Sequence, residues 1–249
     1  MSAPSPAGFP TPAGGERRWM PGSLEPRLAG SEAHVWRVDL TVVGHDIARS
    51  LSGDETARAA RIVGQRQRQR RLWARSRGVL RALLGRYLRE DATAIELAVG
   101  AHGKPELTSA ADSPRKLFFN LSHSQHLALY AFTATGTIGV DVQVADDANT
   151  GRATDHVALA RRTFGEVEAR RLDALEPAAR EREFLRLWTR HEAELKRRGT
   201  GIGVATAGAQ VAADARAAPW IVELDVGTGA AAAVAVAPAM SDLRLWDWR

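Results

Sequence analysis

Three short stretches carry the residue types from which a reactive site is built: Phe119-Asn120-Leu121-Ser122-His123-Ser124, Gly139-Val140-Asp141-Val142-Gln143, and Trp188 to Lys196 with Glu192 between them. Asp141 and Gln143 lie two apart among alternating valines. On a strand both would leave one face, while Val140, Val142 and Val144 fill the other. A carboxylate and an amide oxygen on one face suit a hard cation such as Mg²⁺, which takes oxygen ligands and keeps waters and substrate phosphates in its shell. A half-exposed edge strand with polar residues outward has the same pattern. Glu192 and Lys196 lie four apart and share one helix face. They are either a solvated ion pair, worth a few tenths of a kcal/mol, or, because Trp188 precedes Glu192 by the same step of four, charges bordering the core. Ser122 and His123 sit where a hydroxyl and an imidazole can converge on an anion. Adjacent in sequence, they form no hydrolase triad, whose members come from separate segments.

Composition narrows the chemistry. The 249 residues contain no cysteine, which excludes disulfides, thiolate nucleophiles and cysteine-ligated metals. GxSxG, GxxxxGK[ST] and HExxH are absent, which removes the common hydrolase, P-loop and zincin readings. No run of about 18 apolar residues occurs, so no membrane helix is expected, and the N-terminus lacks the pattern of a signal peptide. A cytoplasmic protein is the expectation. The net charge is +5, and the basic residues are 31 Arg against only Lys104, Lys116 and Lys196. Eleven arginines fall between Arg58 and Arg89, a stretch able to meet nucleic acid, anionic lipid or a phosphorylated small molecule. The absence of a nucleic-acid-binding motif and of interleaved aromatics in Arg58–Arg71 argues against nucleic acid.

The elements that must position these residues follow from patterning. Residues 1–30, rich in Pro, Gly, Ala and Ser, read as a disordered or loosely attached arm. His34–Val43 reads as a strand. Asp54 is a fair N-cap for a helical stretch, and Leu72, Val79, Leu80, Leu83, Leu84, Tyr87 and Leu88 predict an amphipathic helix over 69–88. Strands are predicted at 95–99, 116–121, 126–133 and 137–144, with a Gly-Lys-Pro turn at 103–105. A polar break over 145–155 divides an N-terminal half, 31–144, from a C-terminal half, 145–249. Helices are predicted at 156–161, 165–175 and 181–198. The last has Phe184, Leu185, Leu187, Trp188 and Leu195 as its buried stripe and stops at Gly199. Strands at 203–211, 220–226 and 231–236 complete an α+β chain in which each half offers helix plus about three strands.

The order of these stretches resembles the 4′-phosphopantetheinyl transferases of the larger, surfactin-synthetase-activating (Sfp) type. The family pattern GKP, FN-[IL]-SHS, G-[IV]-D-[IV]-E, F-[ST]-x-x-E and W-[ST]-x-K-E-A-x-x-K is met by GKP at Gly103–Pro105, FNLSHS at Phe119–Ser124, GVDVQ at Gly139–Gln143, FGEVE at Phe164–Glu168 and WTRHEAELK at Trp188–Lys196. The match covers residues 55–205. The resemblance implies a pseudo-twofold pair of similar halves, each a small antiparallel sheet with a long helix, and coenzyme A held between them. It implies Mg²⁺-dependent transfer of the phosphopantetheine arm of coenzyme A to a serine hydroxyl of an acidic acyl or peptidyl carrier protein, releasing 3′,5′-ADP.

Carried over by residue, Asp141 and Glu192 would be acidic Mg²⁺ ligands, and Gln143 would occupy the third acidic position. Lys196 would contact the pyrophosphate, Lys104, Ser122 and His123 would hold the 3′-phosphate and nearby groups, and Arg77 and Arg61 would be further basic contacts to coenzyme A. Glu192, with Glu168 as second choice, would take the serine proton. Gln143, His191 before the motif glutamate, and Gly165 in place of Ser or Thr depart from the family pattern. The first two also suit a non-catalytic relative that binds coenzyme A or a carrier. A monomer serving secondary metabolism is expected.

Overall fold

The computed structural model describes residues 17–62, 67–99, 105–108, 117–145, 154–199 and 218–249. In chain order these form β1 (Trp19–Pro21), β2 (Glu32–Asp39), α1 (Gly53–Ala60), α2 (Gln67–Leu88), β3 (Leu97–Val99), β4 (Pro105–Leu107), β5 (Phe118–Ser124), β6 (Leu127–Thr133) and β7 (Ile138–Val144). There follow α3 (His156–Phe164), α4 (Glu166–Asp173), α5 (Pro177–Arg198), β8 (Trp220–Glu223), β9 (Ala230–Val236) and β10 (Asp242–Asp247). No described helix is long and apolar enough to cross a membrane. Lys104 and the strand expected at 203–211 lie outside the described residues.

Two sheets carry the site. The first runs β1-β10-β2-β6-β5 and the second β7-β9-β8; β3 and β4 form a separate pair. Every strand contact is antiparallel except β1 with β10 and β10 with β2, so the first sheet is mixed rather than purely antiparallel. Nor does the boundary at 144/145 divide the sheets. β7, which precedes it, pairs with β9, and β10 returns to lie beside β2. The cause is in β10 itself: Leu243 and Leu245, two apart, turn the same face into the core. Residues 17–30 do not hang free either. Trp19–Pro21 pairs with Leu245–Asp247, and Gly22 lies so close to Trp36 and Asp247 that a Cβ there would clash with both.

The layers stack in the order α2, first sheet, second sheet, α5. Trp36, Val38, Tyr130 and Phe132 turn toward Val79, Leu80, Leu83 and Leu84 of α2. Val35, Leu129 and Ala131 turn the other way, onto Val140, Val142 and Val234. β6 is therefore buried along its whole length, as LALYAFT suggests. Each of the Val, Leu and Phe side chains among these contributes about 1.5–3 kcal/mol on burial.

The helix ends follow capping chemistry. At α1 the cap is Ser52, not Asp54. Its hydroxyl accepts from the Glu55 amide, and the Glu55 carboxylate accepts from the Ser52 amide, satisfying two donors that the first turn leaves open. The same Glu55 oxygen accepts from buried Arg81 Nε at 2.6 Å and ties α1 to α2. α5 begins at Pro177 and ends at Gly199, whose φ of 70° no β-branched residue would adopt without strain. Its buried stripe differs from the expectation. Phe184 is buried and Leu185, Leu187 and Trp188 pack against α3 and α4, but further along the core-facing residues are Thr189, Ala193 and Arg197.

Candidate active site

The site begins where α5 crosses β7 and β9 on small residues. A Cβ on Gly139 would fall 2.1 Å from the Ala193 carbonyl oxygen and 2.4 Å from the Arg197 amide, and Ala193, Ala233 and Ala235 are fully buried at the same crossing. Only glycine in β7 permits the helix to lie this close. The approach delivers Lys196 to the strand. Its ammonium donates to Asp141 Oδ1 at 2.6 Å, to Ser122 Oγ at 2.9 Å and to the Val140 carbonyl at 3.2 Å, so all three of its donors are engaged.

Asp141 is 2% exposed and a bare carboxylate there would be costly. It is satisfied instead. Besides Lys196, Oδ1 accepts from the Ser122 hydroxyl at 2.7 Å, and Oδ2 accepts from the Gln143 amide nitrogen at 3.1 Å. The three stretches singled out by sequence thus meet at one carboxylate.

Glu192, one turn before Lys196, is half-buried and has neither hydrogen-bond nor ion-pair partner among the described residues. Burial and the negative charge of Asp141 push its carboxyl above the ordinary range, and neighbouring Lys196 and His191 oppose that shift. Two carboxylates that repel each other across a partly dry site present hard oxygen donors to a divalent cation. One or two carboxylates, completed by water and phosphate oxygens, are what Mg²⁺ commonly uses. The donor set fits such an ion as a two-carboxylate site. Gln143 turns its amide nitrogen toward Asp141, and the described residues hold no group of three or more His, Asp and Glu arranged as metal ligands.

A rim of Lys196, His123 and Arg77 lies beside this pair, each near the next. His123 keeps an exposed edge, yet the protein around it, together with the charges of Lys196 and Arg77, holds its pKa below the usual imidazole value. It is therefore mostly neutral near pH 7. Arg77 on α2 is 9% exposed, stacks on Trp73 at 5.6 Å and leaves one guanidinium nitrogen, Nη1, buried without a partner among the described residues. A buried guanidinium nitrogen without an acceptor is costly and suits an anionic ligand.

Other expected residues stand apart. Arg61 is exposed at the C-terminal cap of α1 and makes no hydrogen bond or ion pair with the residues above. Glu168 on α4 is taken by Arg171 Nε at 2.7 Å, which leaves Glu192 as the free carboxylate. The hydroxyl of Ser122 is spent within the protein rather than open to a phosphate. Sequence reasoning gave no role to Asn120 and Ser124. The Asn120 Oδ1 accepts from the Val140 amide at 3.0 Å and the Ser124 Oγ from the Val144 amide at 3.0 Å. Their step-of-two spacing with Ser122 was the available signal.

The model of the 4′-phosphopantetheinyl transferase superfamily matches residues 137–238, the stretch holding Asp141, Glu192 and Lys196. The chain is similar to the 4′-phosphopantetheinyl transferase HetI of Nostoc sp. (strain PCC 7120), 36% identical over 191 residues, which cover 75% of this chain and 77% of that protein. It is also similar to the 4′-phosphopantetheinyl transferase AcpT of Salmonella typhimurium (strain LT2), 34% identical over 126 residues, 49% of this chain and 61% of that protein.

Proposed function

Because the chain belongs to the 4′-phosphopantetheinyl transferase family, we propose that the Asp141–Lys196–Glu192 site is where it moves the phosphopantetheine arm of coenzyme A onto a carrier protein. The protein is a transferase that acts on carrier proteins with coenzyme A as donor. The reaction joins the serine oxygen of the carrier to the phosphorus bearing the pantetheine arm. The phosphoanhydride bond breaks, 3′,5′-ADP leaves with the electron pair, and the serine proton passes to a base.

Each residue has a task in that step. Arg77, with its unpartnered nitrogen, and the rim of His123 and Lys196 gather the phosphates. Lys196 turns one donor from the Val140 carbonyl to the leaving diphosphate oxygen, where negative charge grows. Glu192, the carboxylate with no partner, accepts the serine proton directly or through water. Beside Mg²⁺ and Lys196 it would be a weak base that works mostly through position. Asp141 and Glu192, with Gln143 at the margin, would hold Mg²⁺. When bound, the ion neutralises charge on the diphosphate as the anhydride opens.

The larger, surfactin-synthetase-activating type is favoured by motifs distributed over both halves of one chain. β2-β6-β5 with the 22-residue α2, and β7-β9-β8 with the 22-residue α5, would be the two units of a pseudo-twofold pair, a reading supported by their like strand number and helix length. An acidic carrier, action as a monomer in the cytoplasm and a place in secondary metabolism complete the reading. The observation that carries it is the 2.6 Å contact of Lys196 with Asp141, which joins the strand motif to the helix motif. Incubation with coenzyme A, Mg²⁺ and apo carriers of fatty acid, polyketide and peptide type should raise the mass of at least one carrier by that of the arm. No gain on any carrier would refute the proposal.

A further inference from the structure

β5 and β7 are the facing edges of two different sheets, and no backbone ladder joins them. Edge amides buried this way need acceptors. Asn120, Ser122 and Ser124 alternate along β5 and so leave one face. Asn120 Oδ1 takes the Val140 amide at 3.0 Å, Ser122 Oγ the Val142 amide at 3.4 Å and Ser124 Oγ the Val144 amide at 3.0 Å. Side chains thus do at this seam what a backbone ladder does within a sheet. On the opposite edge of β7, the strand pairs with β9.

We propose that Asn120, Ser122 and Ser124 form a clasp that fixes the register of β7 against the first sheet, and that Ser122 is a positioning residue for Asp141 and Lys196. The capacity of a hydroxyl decides the second point. Ser122 has one proton, given to Asp141 Oδ1 at 2.7 Å, and two acceptor sites, taken by Lys196 Nζ and the Val142 amide. Nothing remains for a phosphate oxygen. Asn120 and Ser124 reach only the backbone of β7, so altering them moves the site through the strand. The clasp matters because Asp141 lies on β7, whereas Arg77 and His123 belong to the first sheet and its helix. Register between the sheets sets the distance from the phosphate rim to the carboxylates.

The clasp itself is independent of the transferase reading; its effect on the site rests on that reading. Two measurements separate them. Amide hydrogen exchange should show Val140, Val142 and Val144 protected in the wild type, with Asn120→Ala exposing Val140 and Ser124→Ala exposing Val144. Ser124→Thr, which keeps the acceptor, should restore protection. Mg²⁺ titrated calorimetrically into the protein holding coenzyme A should bind about 10–100-fold more weakly in Ser122→Ala, as expected when a partner behind a ligand is lost. In Asn120→Ala the loss should be about fivefold, the worth of one buried hydrogen bond, and the KM for coenzyme A should stay within about twofold of the wild type. Rapid exchange of the three amides in the wild type would overturn the clasp. A raised KM for coenzyme A with unchanged Mg²⁺ affinity in Ser122→Ala would make Ser122 a substrate contact instead. Should Ser122→Ala fail to fold, the Ser124 pair and the Val144 amide decide the question. Absence of Mg²⁺ binding or transfer by the wild type would count against the function, not the clasp.

Discussion

Gly139→Ala adds one methyl group and should cost far more activity than its size suggests. The new Cβ would stand 2.1 Å from the Ala193 carbonyl oxygen and 2.4 Å from the Arg197 amide, both backbone atoms of α5 that no rotamer change can move aside. Ordinary contact begins near 3.4 Å, so the helix must retreat by about 1.3 Å. That displacement takes Lys196 Nζ out of hydrogen-bond range of Asp141 Oδ1, now 2.6 Å away. Overpacking of this kind costs about 1–3 kcal/mol, which lowers the melting temperature by roughly 2–12 °C in a domain of this size. Misplacing catalytic groups by about 1 Å costs about 100-fold in rate. Thermal unfolding and the initial rate of carrier mass gain should therefore both fall, the rate much more steeply. Gly44→Ala, where the added Cβ meets open space, should change neither. Near-normal transfer by a folded Gly139→Ala protein would refute the argument that close approach of α5 builds the site.

Three further outcomes follow. Gln143→Glu replaces an amide that donates to Asp141 by a carboxylate, and should lower the Mg²⁺ concentration for half-maximal rate about tenfold, the worth of one charge-assisted contact; an unchanged or higher requirement would remove position 143 from the metal site. Arg77→Met should raise the KM for coenzyme A about 10–100-fold while changing kcat little, since it removes a buried cation with a free donor; an unchanged KM would separate Arg77 from the phosphates. Burial pushes the His34 imidazole down to about 4. The unfolded chain therefore takes up this proton first, at about pH 6.5, and stability should fall with pH from about 6.5 to about 4 by up to about 3 kcal/mol. Denaturant midpoints should show this slope flattened in His34→Gln, and an equal slope in both proteins would contradict it.

The parts legible in the sequence were those with strong period or charge. The α2 stripe from Leu72 to Leu88, the continuous apolar run of β6 and the stop at Gly199 each declare themselves by pattern. The contact of Ser122 and Lys196 with Asp141 does not: a hydroxyl and an ammonium point equally to a phosphate, and only the order of the motifs, not residue type, joins the three stretches. What escaped was carried by small or ambiguous residues. The face of α5 on the sheet is Thr189, Ala193 and Arg197, which no hydrophobic period marks, and the seam between sheets is held by side chains that read as loop polarity. The cap at Ser52 was legible but missed: Ser52 and Glu55 have the S-x-x-E spacing of a capping box, which outweighs the lone acid Asp54. β10 alternates Leu243 and Leu245 with Arg244 and Trp246. Its parallel place beside β2 depends on a return across the molecule that local pattern does not encode.

A double-variant comparison tests most directly whether the carboxylates of strand and helix act as one unit. Asp141→Asn, Glu192→Gln and the pair together are to be compared in single-turnover transfer to an apo carrier, with each protein shown folded by its unfolding transition. If both serve one metal-bound diphosphate, the double variant is no slower than the slower single one. Losses that multiply would show two independent roles and contradict a shared site.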